Sequence, residues 1–392
     1  MNETKMRMEG DTLVIMPQGK IDTTTAPVVE KEIEEIRASE PHEKCIVDLD
    51  DIVYVASSGL RVILKLRKEE PSLRIINASL EVYEVLSMTG FTEMIPTEKA
   101  LRKISVDGCD IIGQGAKGTV YRYDADTIIK VYKEGVKRED IERERALARK
   151  AFVLGVPTAI SYDVVRVGNY LGSVFELLDA KSLSELMKED PAHFDGFTET
   201  YVNLLKGFHE NEGDETIPDI KPLIFSWLEE AKKVLTEEEY AKIKKLIEEV
   251  PDSNTLLHCD YHTNNVMVQN GEALLIDMDT MSKGNPIFEL ANVFATYVGF
   301  GEVKPTIVEK FIGLPFEKAV KIWDEFLPIY LSTDDATRIE EVNNAARLLG
   351  YLRVLRHNIR RGALDNEEGK KIIDHALSNL RELLEKVDHL AI

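Results

Sequence analysis

An aspartate and an asparagine stand five residues apart in His258-Cys-Asp260-Tyr-His262-Thr-Asn-Asn265, and a further aspartate, Asp277, closes the apolar run that includes Leu275 and Ile276. Residues of these types, on one loop and at the end of the following strand, can place a general base and two oxygen ligands around one magnesium-bound phosphate. A polar turn ahead of a hairpin would produce a lone match equally well. The upstream residues decide between the two. Gly113-Gln-Gly115-Ala-Lys-Gly118-Thr-Val120 is a glycine loop of the GxGxxGxV form, whose missing side chains let backbone N–H groups approach a triphosphate. Lys130 follows within the apolar run Ile128, Ile129, Val131, and Glu144 comes later in a charged segment, a candidate partner for the lysine. Glycine loop, lysine, glutamate, then base and ligands is the order that phosphoryl transfer requires.

The elements needed to hold these groups can be read around them. Residues 120–123 and 127–132 form two strands turned by Asp124-Ala125-Asp126, so the glycine loop opens a hairpin, where a dinucleotide-binding loop would open a helix. A charged helix is predicted over 138–154, ended by Gly155-Val156-Pro157. Beyond residue 182 the pattern is mostly helical, with Thr236 and Glu239 spaced as a capping box. A hairpin over 265–277, turned by Asn270-Gly271, interrupts it. Ahead of residue 105 the pattern differs. Strands are predicted over 13–17 and 44–49, helices over 27–38 and 59–69, and a further strand begins at 73, which together describe a small α/β layer.

Composition narrows the classes. The 392 residues suffice for two or three domains, and 44% apolar with 30% charged residues is ordinary globular usage. A net charge of −21 disfavours nucleic acid and anionic lipid as partners and suits cationic or metal-chelated ones. Three scattered cysteines, Cys45, Cys109 and Cys259, give neither a disulfide framework nor a zinc site and suggest a reducing compartment. No stretch is apolar enough for a membrane span, and residues 1–10 lack the apolar core of a signal peptide, so a cytoplasmic, unexported protein is expected.

From about residue 107 onward the chain resembles the aminoglycoside phosphotransferase and choline kinase branch of the protein-kinase-like fold. That branch carries H-G-D-x-H-x-x-N, I-D-[FW]-[DE] and G-D-P-x-x-D-L-A; here stand His258, Asp260, His262 and Asn265, then Ile276-Asp277-Met278-Asp279, then Gly284-Asn-Pro286-Ile-Phe-Glu289-Leu-Ala291. The resemblance implies ATP and Mg2+ as cofactors and a catalytic base at Asp260. It implies metal ligands at Asn265 and Asp277, phosphate contacts from the loop of Gly113, Gly115 and Gly118, and a phosphate-anchoring Lys130 paired with Glu144. Adenine contacts would come from the backbone between Glu176 and Leu178. Cys259, Asn285 and Glu289 depart from the branch's glycine and two aspartates. The arginines from Arg347 to Arg361 recur at helical intervals and read as a solvated amphipathic face.

Residues 4 to about 103 resemble the STAS domain of anti-sigma-factor antagonists, on Gly19-Lys-Ile21-Asp22, Val47-Asp48-Leu49 and Ala56-Ser57-Ser58-Gly59-Leu60. One of Ser57 and Ser58 is expected to cap the helix that begins near Gly59. The resemblance makes Ser58 a candidate phosphorylation site, although Ala56 replaces the usual aspartate. The expected architecture is an α/β STAS-like domain over 1–105 joined to an α+β protein-kinase-like bilobal domain. Its N-lobe would cover 106–180 and its large helical C-lobe 181–392. The expected function is ATP- and Mg-dependent transfer of a phosphoryl group to a hydroxyl of a small, cationic molecule, with a regulatory or partner-binding STAS domain. The alternative is a signalling module whose kinase-like part phosphorylates protein serine or senses ATP.

Overall fold

The computed structural model describes residues 4–115, 117–390 and 392. The chain forms two compact units, Met1–Ser105 with Val165–Asn169, and Val106–Val164 with Tyr170–Ile392.

In the first unit, strands Lys5–Glu9, Thr12–Met16, Lys44–Asp48, Arg74–Ala78 and Thr97–Lys99 lie side by side in that order. The first pair is antiparallel and the rest are parallel. Leu13, Ile15, Val47 and Ile75 of the middle strands are buried with Val62, Ile63 and Leu66 of a helix. Their burial accounts for the apolar runs seen in the sequence. The outer strand Lys5–Glu9 is exposed along its whole length and carried no such run.

The helix bearing the serines runs over Ser57–Glu69, two residues earlier than expected, and this corrects the capping assignment. Its N-cap is Ala56, in extended conformation, whose carbonyl accepts from Leu60 N, and no side chain caps the turn. Both serines are inside the first turn; the Ser58 hydroxyl is enclosed and has no hydrogen-bond partner among the described residues. Gly59 is required by packing. A Cβ there would lie 2.6 Å from the Ile21 carbonyl oxygen.

The second unit opens with an antiparallel sheet in which Tyr170–Glu176, Thr127–Tyr132, Gly118–Arg122 and Asp110–Gln114 are successive neighbours. The helix Arg138–Val153 follows, with Gly155 in the left-handed region just past its end. The capping box at Thr236 and Glu239 is formed, at the head of helix Glu237–Glu248. Ile287–Phe294 is buried on every face, continues into one π-helical turn, Ala295–Gly299, and packs on the long helix Ala336–Arg360. A helix buried on every face sits centrally, and its Glu289 and Asn292 are enclosed with its apolar residues. Among the described residues, no helix is long and apolar enough to cross a membrane.

Candidate active site

The three loop glycines differ in what demands them. Gly118 is fixed by the fold, because a Cβ there would lie 2.2 Å from the Val131 carbonyl oxygen. Gly115 faces open space, and at Gly113 an added Cβ would make only ordinary contact with Val120 at 3.6 Å. Their bareness answers no internal packing need, as expected of backbone kept open for a ligand.

Lys130 sits on the strand Thr127–Tyr132 opposite Val120. Its Nζ lies 2.8 Å from Glu144 Oε1 and 3.1 Å from Asp277 Oδ1, which joins strand, helix and loop at one ammonium. Burial alone would lower the Lys130 pKa; the Asp277 and Glu144 carboxylates outweigh it and hold the group charged, above its ordinary value.

Asp260, Asn265 and Asp277 are brought together by the hairpin Val266–Gln269 and Glu272–Leu275. Asn270 and Gly271 turn it with φ of 53° and 85°, as a primed two-residue turn requires. Asn265 O accepts from Ile276 N at 3.0 Å, which sets Asn265 level with the residue before Asp277. Asn265 Nδ2 donates to the Asp260 carbonyl at 3.0 Å, leaving Oδ1 as the amide's acceptor atom. His258 is fixed in one tautomer: Nε2 donates to Ile276 O at 3.1 Å, while Nδ1 accepts from Asp260 N at 3.4 Å. Burial pushes the Asp260 carboxyl up. His262, with Nε2 3.7 Å from Oδ2, together with the nearby His258 and Arg353, pulls it further the other way, to about 2.

Two site residues besides glycine occupy the left-handed region, Cys259 at φ 65° and Asp277 at φ 61°. Backbone strain of this sort persists only where the surroundings over-determine it. At Cys259 the surroundings are Glu289, fully buried, whose two carboxyl oxygens accept from Cys259 N. Burial pushes the Cys259 thiol well up, so it is no nucleophile.

The donor set fits magnesium. Carboxylate oxygens of Glu144, Asp277 and Asp279 lie within 4.8 Å of one another, and Asp279 was not among the expected ligands. Glu176 ends its strand with N donating to Ile160 O at 2.9 Å, and its Oε2 accepts from Ile160 N at 3.2 Å. Leu178 lies just beyond, after Leu177 N, which donates to Asp126 O at 2.8 Å.

Arg353 is a second residue that the sequence reading did not place at the site. Within the predicted solvated face, its Nη1 instead donates to Asn292 O at 3.0 Å and to Thr296 Oγ1 at 3.2 Å, at the π-helical turn. Burial lowers its pKa against the opposing pull of Asp260 and Glu289.

The profile of the phosphotransferase enzyme family matches residues 109–313, and that of the STAS domain matches residues 3–104. Among solved structures, an ADP-bound aminoglycoside phosphotransferase is 14% identical, with 79% of this chain and 99% of its own covered and a TM-score of 0.45. A choline kinase from Cryptosporidium parvum is 15% identical, covering 71% of this chain and 90% of its own, with a TM-score of 0.42. An anti-sigma factor antagonist from Thermotoga maritima is 19% identical over 25% of this chain and 86% of its own, with a TM-score of 0.24. No curated protein matches the sequence.

Proposed function

The chain belongs to the phosphotransferase enzyme family, and from that premise we propose that it transfers the γ-phosphoryl group of ATP, with Mg2+, to a hydroxyl of a small, cationic molecule. The observation that carries the reading is the position of Lys130 Nζ between Glu144 and Asp277, residues far apart in sequence that have no other reason to share one buried cation.

In this reading Lys130 contacts the phosphates, and the glycine loop covers them with backbone N–H groups. Glu144 keeps the lysine placed and charged. Asp277, Asp279 and Asn265 Oδ1 would hold magnesium, which would supply charge neutralisation at the phosphates. Asp260 orients the acceptor hydroxyl and takes its proton as the oxygen attacks phosphorus and ADP departs. A carboxyl held near 2 is a weak base, so its larger contribution is alignment and the late acceptance of the proton. His262, with Nε2 3.7 Å from Asp260 Oδ2, steadies that carboxylate. The backbone from Glu176 to Leu178 is assigned to adenine. The net charge of −21 favours a cationic acceptor by long-range attraction.

The division at residue 105, and within the second part near 180, belongs to the same proposal. So does a regulatory or partner-binding role for the STAS domain, with Ser58 as its modification site; modification requires the enclosed hydroxyl to rotate outward. The test is a panel of hydroxyl-bearing amines incubated with the full chain, ATP and Mg2+, with product mass followed. A gain of one phosphoryl group, absent with Asp260→Asn, supports the reading. Transfer confined to neutral or acidic acceptors contradicts the cationic assignment.

A further inference from the structure

The glycine loop carries a cation that the phosphotransfer reading leaves without a task. Lys117, between Gly115 and Gly118, has its ammonium in contact with the Asp279 carboxylate. The Asp279 side chain is only 7% exposed and the Lys117 side chain 53% exposed, so the lysine is the partner able to leave. Its backbone is anchored: the Lys117 carbonyl accepts from Lys133 N at 3.0 Å, and Gly115 N donates to Gly118 O at 2.9 Å. Gly118 in turn is wedged against Val131. What moves is therefore the flexible side chain, on a backbone held at Lys117 and Gly118.

Without ligands, Lys130 and Lys117 together offset two of the three charges clustered at Glu144, Asp277 and Asp279. A divalent cation entering the cluster competes with the ammonium for Asp279. A triphosphate arriving with that cation offers the displaced ammonium a stronger anion. Resting on the nucleotide-site reading above, we propose that Lys117 gates the site: in the ligand-free protein it occupies the cation position at Asp279, and binding of a divalent cation with a nucleoside triphosphate hands it to the terminal phosphate. Lysine suits the handover because its charge is compact and its stem flexible.

The gate predicts effects of opposite sign, which a lysine with a merely structural role does not produce. In the full chain, Mn2+ binding without nucleotide is measured by electron paramagnetic resonance, and binding of a non-hydrolysable ATP analogue with Mn2+ by calorimetry. Lys117→Met is expected to tighten Mn2+ alone and weaken the metal–analogue complex, each by about 2- to 5-fold, the range of a partly exposed ion pair. Lys117→Arg is expected to restore both toward the parent. Unchanged affinities, or changes of the same sign, overturn the gate while leaving nucleotide binding by the parent intact. A parent that binds no analogue overturns the gate together with the reading it rests on.

Discussion

Cys259 N donates to both carboxyl oxygens of Glu289, at 3.0 Å and 2.9 Å, across thirty residues of sequence. The bond pair fixes the left-handed turn that points His258 and Asp260 in their respective directions. Glu289→Ala leaves a buried amide unsatisfied and is expected to cost about 1–3 kcal/mol in chemical denaturation. Turnover is expected to fall more than nucleotide affinity, because in the proposed function the loop carries the base while Lys130 and the glycine loop contact the phosphates.

Cys259 itself tests how much the turn, as opposed to the thiol, matters. A β-branched residue at φ 65° is strongly disfavoured, so Cys259→Val is expected to destabilise by about 2 kcal/mol or more. Cys259→Gly exchanges buried contacts for an unstrained turn and is expected to stay within about 1 kcal/mol of the parent and to retain turnover. With the thiol buried and its pKa pushed well up, thiol reagents are expected to leave activity intact in the folded protein.

Asp260→Asn preserves shape and removes the proposed base. Turnover is expected to drop by roughly 100- to 10,000-fold with ATP affinity unchanged. The folded carboxyl titrates at about 2, below its ordinary value of 3.8, so the fold favours the ionised form. Its contribution to stability is therefore complete above the unfolded value and is lost as pH falls from about 4 toward 2. Acid denaturation of the parent and the Asn variant should converge at the acid end. Between about pH 5 and 8 Asp260 should add no acid limb to the rate profile.

In the first unit, Ser58→Ala removes an enclosed hydroxyl that has no partner and caps nothing, and stability is expected to be unchanged or slightly higher. Gly59→Ala drives a Cβ to 2.6 Å from Ile21 O and is expected to cost about 1–3 kcal/mol. Thermal or urea unfolding of both variants checks the order.

The convergence of the candidate residues was legible in the sequence where local pattern fixes geometry. A strand lysine, a helix glutamate and an Asn-Gly hairpin between Asn265 and Asp277 each follow from short-range rules, and the fold then converges them. Contacts made by tertiary packing were not legible. Nothing near Lys117 in sequence indicates Asp279, and the second carboxylate of the Asp277-Met278-Asp279 segment joins the cluster only when the hairpin docks beside Glu144. Arg353 was misread because arginines at helical intervals look like a wet face. The helix Ala336–Arg360 is instead covered by Ile287–Phe294 and Glu367–Lys386, and a buried carbonyl and hydroxyl receive the guanidinium. Ser58 was placed in the correct turn but on the wrong side of its boundary, since an extended Ala56 lets the helix begin at Ser57.

The central claim is a magnesium-dependent ATP site built on Lys130, Glu144 and Asp277. Calorimetric titration of the full chain with ATP, with and without Mg2+, tests it most directly. The account predicts saturable binding that strengthens with Mg2+ and is weakened at least about tenfold, or 1.4 kcal/mol, by Lys130→Ala and by Asp277→Asn. Absence of ATP binding with Mg2+ present, or binding indifferent to both substitutions, would contradict it.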